Sequence, residues 1–180
     1  MKKITCLITA FLLATSWCFA ADDEGRTVKQ YKVTPLAPGF EAELPLHRTG
    51  SLVIRPAAGC GFIYDSEEGL VSAANVYVNF QYRVYTNIGK KFAQNGVNNN
   101  SGSFVALSCA LMKEFYTNND NYDLNDILAI GAVWGMQWTT NRNIFWRFNV
   151  GLSAGYTADG DSALLPTTEF CVGYVLGKRK

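Results

Sequence analysis

From Ile144 to Thr157 the chain alternates without a break. Ile144, Trp146, Phe148, Val150, Leu152, Ala154 and Tyr156 hold one set of positions, and Phe145, Arg147, Asn149, Gly151, Ser153, Gly155 and Thr157 hold the other. Successive strand side chains point to opposite faces, so this period of two predicts a strand with one apolar face and one small or polar face. A helix would scatter the same residues around its surface. Two further runs read the same way. Over Ala74 to Tyr85, Val76, Val78, Phe80, Tyr82 and Val84 oppose Asn75, Tyr77, Asn79, Gln81 and Arg83. Over Leu128 to Trp138, Leu128, Ile130, Ala132, Trp134, Met136 and Trp138 oppose Ala129, Gly131, Val133, Gly135 and Gln137. Strands also follow at Phe104 to Phe115 and Thr168 to Leu176. Leu52 to Tyr64 alternates more weakly and contains Pro56, which has no N–H to give a ladder and so predicts an edge or a bulge. Earlier still, Phe40, Ala42, Leu44 and Leu46 alternate with Glu41, Glu43 and His47, and Arg48-Thr49-Gly50 supplies a turn.

The breaks between these runs, at Asp65 to Gly69, Gln94 to Gly102, Thr117 to Asp126, Thr139 to Asn143 and Asp159 to Thr167, are rich in Gly, Asn, Asp and Ser, as hairpin connections are. Counting Ile88 to Ala93 as a strand after a turn at Thr86-Asn87 brings the total to eight, the number at which single-chain bacterial membrane barrels begin. The expected fold is all-β: an antiparallel up-and-down transmembrane β-barrel over residues 39–180, behind an N-terminal extension, 21–38.

Alternation alone does not say which face is outside, so the polar rows must decide. In a soluble sheet the outward row carries Lys, Glu, Thr and Asp, whereas here it repeats glycine: Gly59 and Gly61, Gly131 and Gly135, Gly151 and Gly155, Gly173 and Gly177. An eight-stranded barrel is only just wide enough for its own side chains, so small inner residues make room for a few large polar ones. The apolar rows then face lipid, and Tyr64, Trp134, Trp138, Trp146 and Tyr156, near strand ends, are expected to form an aromatic girdle. By parity Arg55, Arg83 and Arg147 face inward with Glu114 and Glu169, among Asn79, Gln81, Gln137 and Asn149. These are expected to form a buried ionic network that plugs the barrel.

The start of the chain assigns a compartment. Lys2 and Lys3 precede an apolar run from Ile4 to Phe19 that closes on Cys-Phe-Ala, the pattern of a secretory signal peptide over residues 1–20 cut after Ala20. Lipidation at Cys18 would need a small residue before it and an aliphatic one further back, where the chain has Trp17 and Thr15. Past Ala20 nothing approaches the ~18 to 20 apolar residues of a spanning helix, so any membrane crossing uses strands.

Composition supports a greasy exterior, since only 17% of residues are charged, against roughly 25% in soluble domains. The balance of 16 Lys+Arg against 15 Asp+Glu offers no attraction for nucleic acid. Cys60, Cys109 and Cys171 are odd in number and far apart, and read as small apolar fillers. His47 is the only histidine and no CxxC occurs, so neither a metal site nor a cofactor is expected. His47 with Ser51 is the one base and hydroxyl pair, and nothing assigns it a carboxylate, so the chain reads as non-enzymatic. Asp120, Asp123 and Asp126 lack the spacing of an EF-hand and read as a solvated connection. Asp161-Ser162-Ala163 looks like a short bacterial O-glycosylation acceptor and is read as unmodified.

Strands such as Leu152-Ser153-Ala154-Gly155-Tyr156 and Phe170-Cys171-Val172-Gly173-Tyr174, with the signal peptide, resemble the small bacterial outer-membrane β-barrel proteins of OmpA-barrel or OmpX-like architecture. The likeness runs from Gly39 to the C-terminus. It implies the cell outer membrane as location, with outer-membrane lipid and the outer-membrane assembly machinery as partners; it names no surface partner. The chain departs from that family by running past Leu176 into Lys178-Arg179-Lys180 where an aromatic residue is usual, and its longer connections do not gather at one end. Two other readings remain open. One is a soluble periplasmic, lipocalin-like barrel in which Phe148, Leu152 and Trp134 line a cavity for a small apolar ligand. The other makes Ala21 to Pro38 an arm that docks on a partner.

Overall fold

The computed structural model describes residues 26–176 except 36, 66–68, 89–99, 118–125, 141, 158–159 and 161, and within strands the side chains of 60–65, 69–73, 114–115, 117 and 165 are also outside the described set. Eight strands follow one another: β1 Gln30–Thr34, β2 Gly39–Pro45, β3 Gly50–Asp65, β4 Gly69–Tyr85, β5 Gly102–Thr117, β6 Ile127–Thr139, β7 Ile144–Thr157 and β8 Ser162–Leu176. Each pairs antiparallel with the next, and β8 returns to β1 through Tyr31↔Leu176, Lys32↔Val175 and Val33↔Tyr174, closing the barrel. Closure covers the edges of the sheet only where β1 and β2 reach: among the described residues, β3 past Ala58 and β8 before Val172 have a strand neighbour on one side only.

The count of eight agrees with the sequence, but one member differs. Ile88 lies outside every strand, and residues 89–93 are outside the described set. The remaining strand is β1, inside the segment read as an N-terminal extension, so the wall begins at Gln30 and not at Gly39. Gln30, Lys32 and Thr34 turn inward while Tyr31 and Val33 are exposed, a period of two too short to stand out from its surroundings. The arm reading fails for the described part of 21–38. Thr27 N–H donates to the Arg48 carbonyl at 2.7 Å, and Val28 is held by Asn100, whose Nδ2 donates to the Val28 carbonyl at 2.7 Å while its Oδ1 accepts from Val28 N–H at 2.7 Å. β8 also starts earlier than Thr168.

Pro56 lies within a continuous β3 and opposite Val78 of β4. Its missing donor shows on the other side, where the β2 ladder keeps Gly39↔Ala57 and Ala42↔Ile54 but lacks the two pairs between them. A register shift falls at Ala74/Asn75 between β4 and β5.

The faces follow the alternation. In β7 the burial pattern is strictly two-fold over its first half, with Ile144, Trp146, Phe148 and Val150 exposed and Phe145, Arg147 and Asn149 buried. Across the barrel the outward rows are largely apolar, and the inward rows are polar or small apart from Val53, Tyr85, Phe104, Val133, Phe145 and Val175. Gly135 explains why an inner row needs glycine: a Cβ there would collide with the Asn149 amide and lie 2.5 Å from the Phe104 ring. That approach lets a phenylalanine and an asparagine from neighbouring strands share one level of a narrow lumen.

Candidate functional site

The interior is filled by charge. Lys32, Glu41, Glu43, Arg83, Gln137 and Arg147 are each no more than 1% exposed. They come from five strands and meet at one level of the lumen, in the half nearer the Gln30 end of β1 and the Leu176 end of β8. Lys32 Nζ, from β1, donates to Glu41 Oε1 at 2.9 Å, Glu43 Oε2 at 2.6 Å and Gln137 Oε1 at 3.0 Å. Glu41 also pairs with the Arg147 guanidinium and, at 3.4 Å, with Arg83 Nη1. Glu43 accepts from Ser51 Oγ at 2.8 Å and from the Tyr85 hydroxyl at 2.7 Å. The Phe104 and Phe145 rings fill the space between, with Arg83 Cζ 4.8 Å from the Phe104 centroid.

A second cluster adjoins the first through Arg147. Arg147 Nη2 donates to Glu169 Oε1 at 3.2 Å, Arg55 pairs with the same carboxylate from β3, and Asn149 Nδ2 donates to Glu169 Oε2 at 3.0 Å. Charges this far from water are tolerable only when paired and hydrogen-bonded, and here each carboxylate meets at least two cations. Arg55 and Arg147 meet at Glu169, and Arg83 and Arg147 meet at Glu41. Glu114 sits in β5 opposite Asn75, and its side chain is outside the described set.

Sequence reasoning missed Lys32, Glu41 and Glu43. The glutamates were visible as the polar row of β2, but without β1 they had no cation opposite them, because Glu41 pairs with Lys32 and Glu43 with Gln30 across the hairpin.

The aromatic residues proposed as a girdle lie outside. Trp134, Trp138, Trp146 and Tyr156 are all exposed, near 40% each. Trp138 and Trp146 are partners across β6 and β7 at one end, and Tyr156 lies towards the other. Trp134 is instead at mid-strand opposite Val150, so it stands within the apolar band and not at its rim. The side chain of Tyr64 is outside the described set.

His47 and Ser51 are not brought together. The His47 ring lies over Gly50, where any Cβ would strike it, and its Nε2 is 2.7 Å from the Tyr82 hydroxyl. Ser51 Oγ points inward to Glu43. Of the acidic connection only Asp126 is described, 3.8 Å from Lys113 on the surface. Cys109 and Cys171 are free thiols, the second buried.

Comparison with protein-family models, with curated proteins and with solved structures finds no match for this chain.

Proposed function

We propose that the chain is an integral protein of a bacterial outer membrane, of the OmpA-barrel or OmpX-like kind, delivered by its signal peptide and non-enzymatic, whose role is structural or lies in surface contacts. The observation that supports this is the inverted distribution of polarity. Twenty-one large apolar side chains among the described residues are exposed, while the most deeply buried large ones include Arg83, Arg147, Lys32, Glu41 and Glu43. On one face of β6, β7 and β8 alone, Trp134, Trp138, Trp146, Phe148, Val150 and Phe170 are contiguous, with Trp146 and Phe170 ring centroids 5.9 Å apart. Aromatic side chains present roughly 200 Å² each, so at about 40% exposure this patch already amounts to some hundreds of Å². That is the upper end of what a soluble monomer shows anywhere, and here it continues around the barrel.

A lipocalin-like carrier needs the reverse arrangement, with Phe148, Leu152 and Trp134 enclosed; they are 39%, 47% and 42% exposed. The packed charge layer also leaves little room for ions to pass, so the barrel is expected to be non-conducting. Envelope fractionation tests the reading. An outer-membrane barrel remains with the membranes until detergent is added and shifts in gel mobility on heating. Release with the periplasmic contents, and no such shift, would overturn it in favour of the soluble barrel.

A further inference from the structure

The formal net charge of the chain is only +1, but the charges separate along the barrel. Residues 65–69, 117–126 and 158–161 join β3 to β4, β5 to β6 and β7 to β8 at one end, and they hold eight Asp and Glu with no Lys or Arg. The segments that border the opposite end in sequence are 21–29, 46–49, 86–101, 140–143 and 177–180. They hold nine Lys and Arg against Asp22, Asp23 and Glu24. Antiparallel order alone sorts the connections in this way, since alternate turns fall at the same end.

Of the basic set Arg26, Lys29, Arg48 and Arg142 are described, and all four are exposed. Arg142 lies in the β6–β7 turn, Arg26 and Lys29 precede β1, and Arg48 lies in the β2–β3 turn, so the four follow the rim past six of the eight strands. Next to them on the outer face stand Trp138, Trp146, Tyr174 and Tyr31, each within two residues of the end of its strand and 38% to 46% exposed. Aromatic rings with cations beyond them are the order of residues at a membrane interface, where the rings lie at the level of the head groups.

Three of these cations share a cup. A cavity of about 390 Å³ is lined by Arg26, Lys29, Leu46, His47 and Arg48 among others, and none of the described residues lining it is acidic. Its two walls are the segment before β1 and the β2–β3 turn, and Thr27 ties them together. The Thr27 hydroxyl lies 2.7 Å from the His47 carbonyl oxygen and 3.1 Å from that of Gly50, besides the bond from Thr27 N–H to Arg48. Backbone fixed in this way lowers the ordering cost of binding. The cup also adjoins the apolar exterior: Leu46 is 58% exposed, Lys29 Nζ stands 5.0 Å from the Tyr31 ring centroid, and that ring stacks on Phe40 at 5.8 Å.

We propose that this cup holds the phosphate of an anionic diacyl phospholipid, whose acyl chains run along Leu46, Tyr31 and Phe40. The inference rests on the outer-membrane reading, which puts those three side chains in hydrocarbon and the cup just outside it. Guanidinium groups match phosphate oxygens in geometry and charge. A zwitterionic lipid carries the same phosphate, but its own cation offsets the attraction, and a free anion gains nothing from the apolar wall. The acidic end of the barrel repels such a lipid, so the preference belongs to one leaflet. Each Lys or Arg near an anionic lipid surface contributes about fivefold to binding.

The test uses the chain from Ala21, folded in detergent and transferred to vesicles of equal parts phosphatidylglycerol and phosphatidylcholine with the same acyl chains. Native mass spectrometry then reads which lipid stays on the protein. Phosphatidylglycerol should be retained at least fivefold over phosphatidylcholine. The variant Arg26→Gln/Lys29→Gln/Arg48→Gln should bring that ratio to within twofold of one, and Lys29→Gln alone should lower it at least twofold. Lys113→Gln, an exposed cation at the acidic end, should leave it unchanged. A heat-dependent gel shift checks that each variant folds. Wild-type preference in both the triple and the single variant, or an equal loss in Lys113→Gln, would overturn the proposal. So would an adduct of inorganic phosphate that displaces the lipid, which would make the cup a site for free anions. A chain that folds but retains the two lipids equally sinks this inference alone, whereas one that never acquires the heat-modifiable fold sinks the outer-membrane reading.

Discussion

Replacing Glu41 with glutamine keeps the shape of the side chain and removes one charge from the centre of the inner network. Glu41 meets Lys32, Arg83 and Arg147, so the substitution weakens three ion pairs in a site from which water is excluded. Among the described inner side chains Lys32, Arg55, Arg83 and Arg147 face Glu41, Glu43 and Glu169, and Glu41→Gln leaves four cations against two carboxylates. Removing one partner from a buried pair typically costs about 3 to 5 kcal/mol, mostly as the penalty of the stranded charge. For a chain of this size that corresponds to a fall of roughly 6 to 20 °C in Tm. The assay is thermal unfolding in detergent, followed by the loss of the compact gel form. Arg147→Leu should also lower Tm, but by less than Glu41→Gln, because Glu41 keeps Lys32 and Arg83 and Glu169 keeps Arg55. The double variant should lose less than the sum of the two, by at least about 1 kcal/mol, as groups sharing a network do. A Tm for Glu41→Gln within 2 to 3 °C of wild type, about the shift that 1 kcal/mol gives, would remove the network from the account of stability.

Three further outcomes follow from the same geometry. Lys113→Ala breaks a pair whose side chains are 71% and 61% exposed, so its effect on Tm should be no more than about 1 kcal/mol equivalent; a larger loss would contradict the contrast between surface and lumen. Gly135→Leu drives a side chain into Phe104 and Asn149 and should destabilise by about 1 to 3 kcal/mol or more, whereas Gly160→Ala at a positive φ with nothing within 4 Å should act only through its backbone strain; equal losses of unfolding free energy in chemical denaturation would refute the packing argument. Phe148→Arg places a charge on the outer face and should cost about 2 to 4 kcal/mol of folding stability in vesicles if it sits near mid-bilayer; no loss relative to Phe148→Leu would oppose a lipid contact there.

Much of this architecture was legible in the alternation, because burial on one face imposes a period of two that a long strand cannot hide. β4 to β7 and the inward direction of Arg55, Arg83, Arg147 and Glu169 follow from it directly. The five-residue β1 was not legible: two apolar positions, Tyr31 and Val33, carry no statistical weight, and the strand exists because β2 and β8 offer it ladders on both sides. Of the fragment Ile88 to Ala93 only Ile88 is described; it belongs to no strand and is buried beside Tyr85 and Phe104. The network's carboxylates were half visible, since a polar row identifies a face but not the cation across the lumen. Where β1 and β2 stop beside β8 and β3 depends on how far neighbouring ladders extend, a property of pairs of strands that no single run contains.

The central claim is that the outer surface of the barrel lies in hydrocarbon, and the chain carries its own reporters. Past residue 20 its tryptophans are Trp134, Trp138 and Trp146, all on the outer face. Their fluorescence should be strongly quenched by vesicle lipids brominated along the acyl chain and hardly touched by acrylamide in the water. Quenching by acrylamide with indifference to brominated lipid would contradict the account.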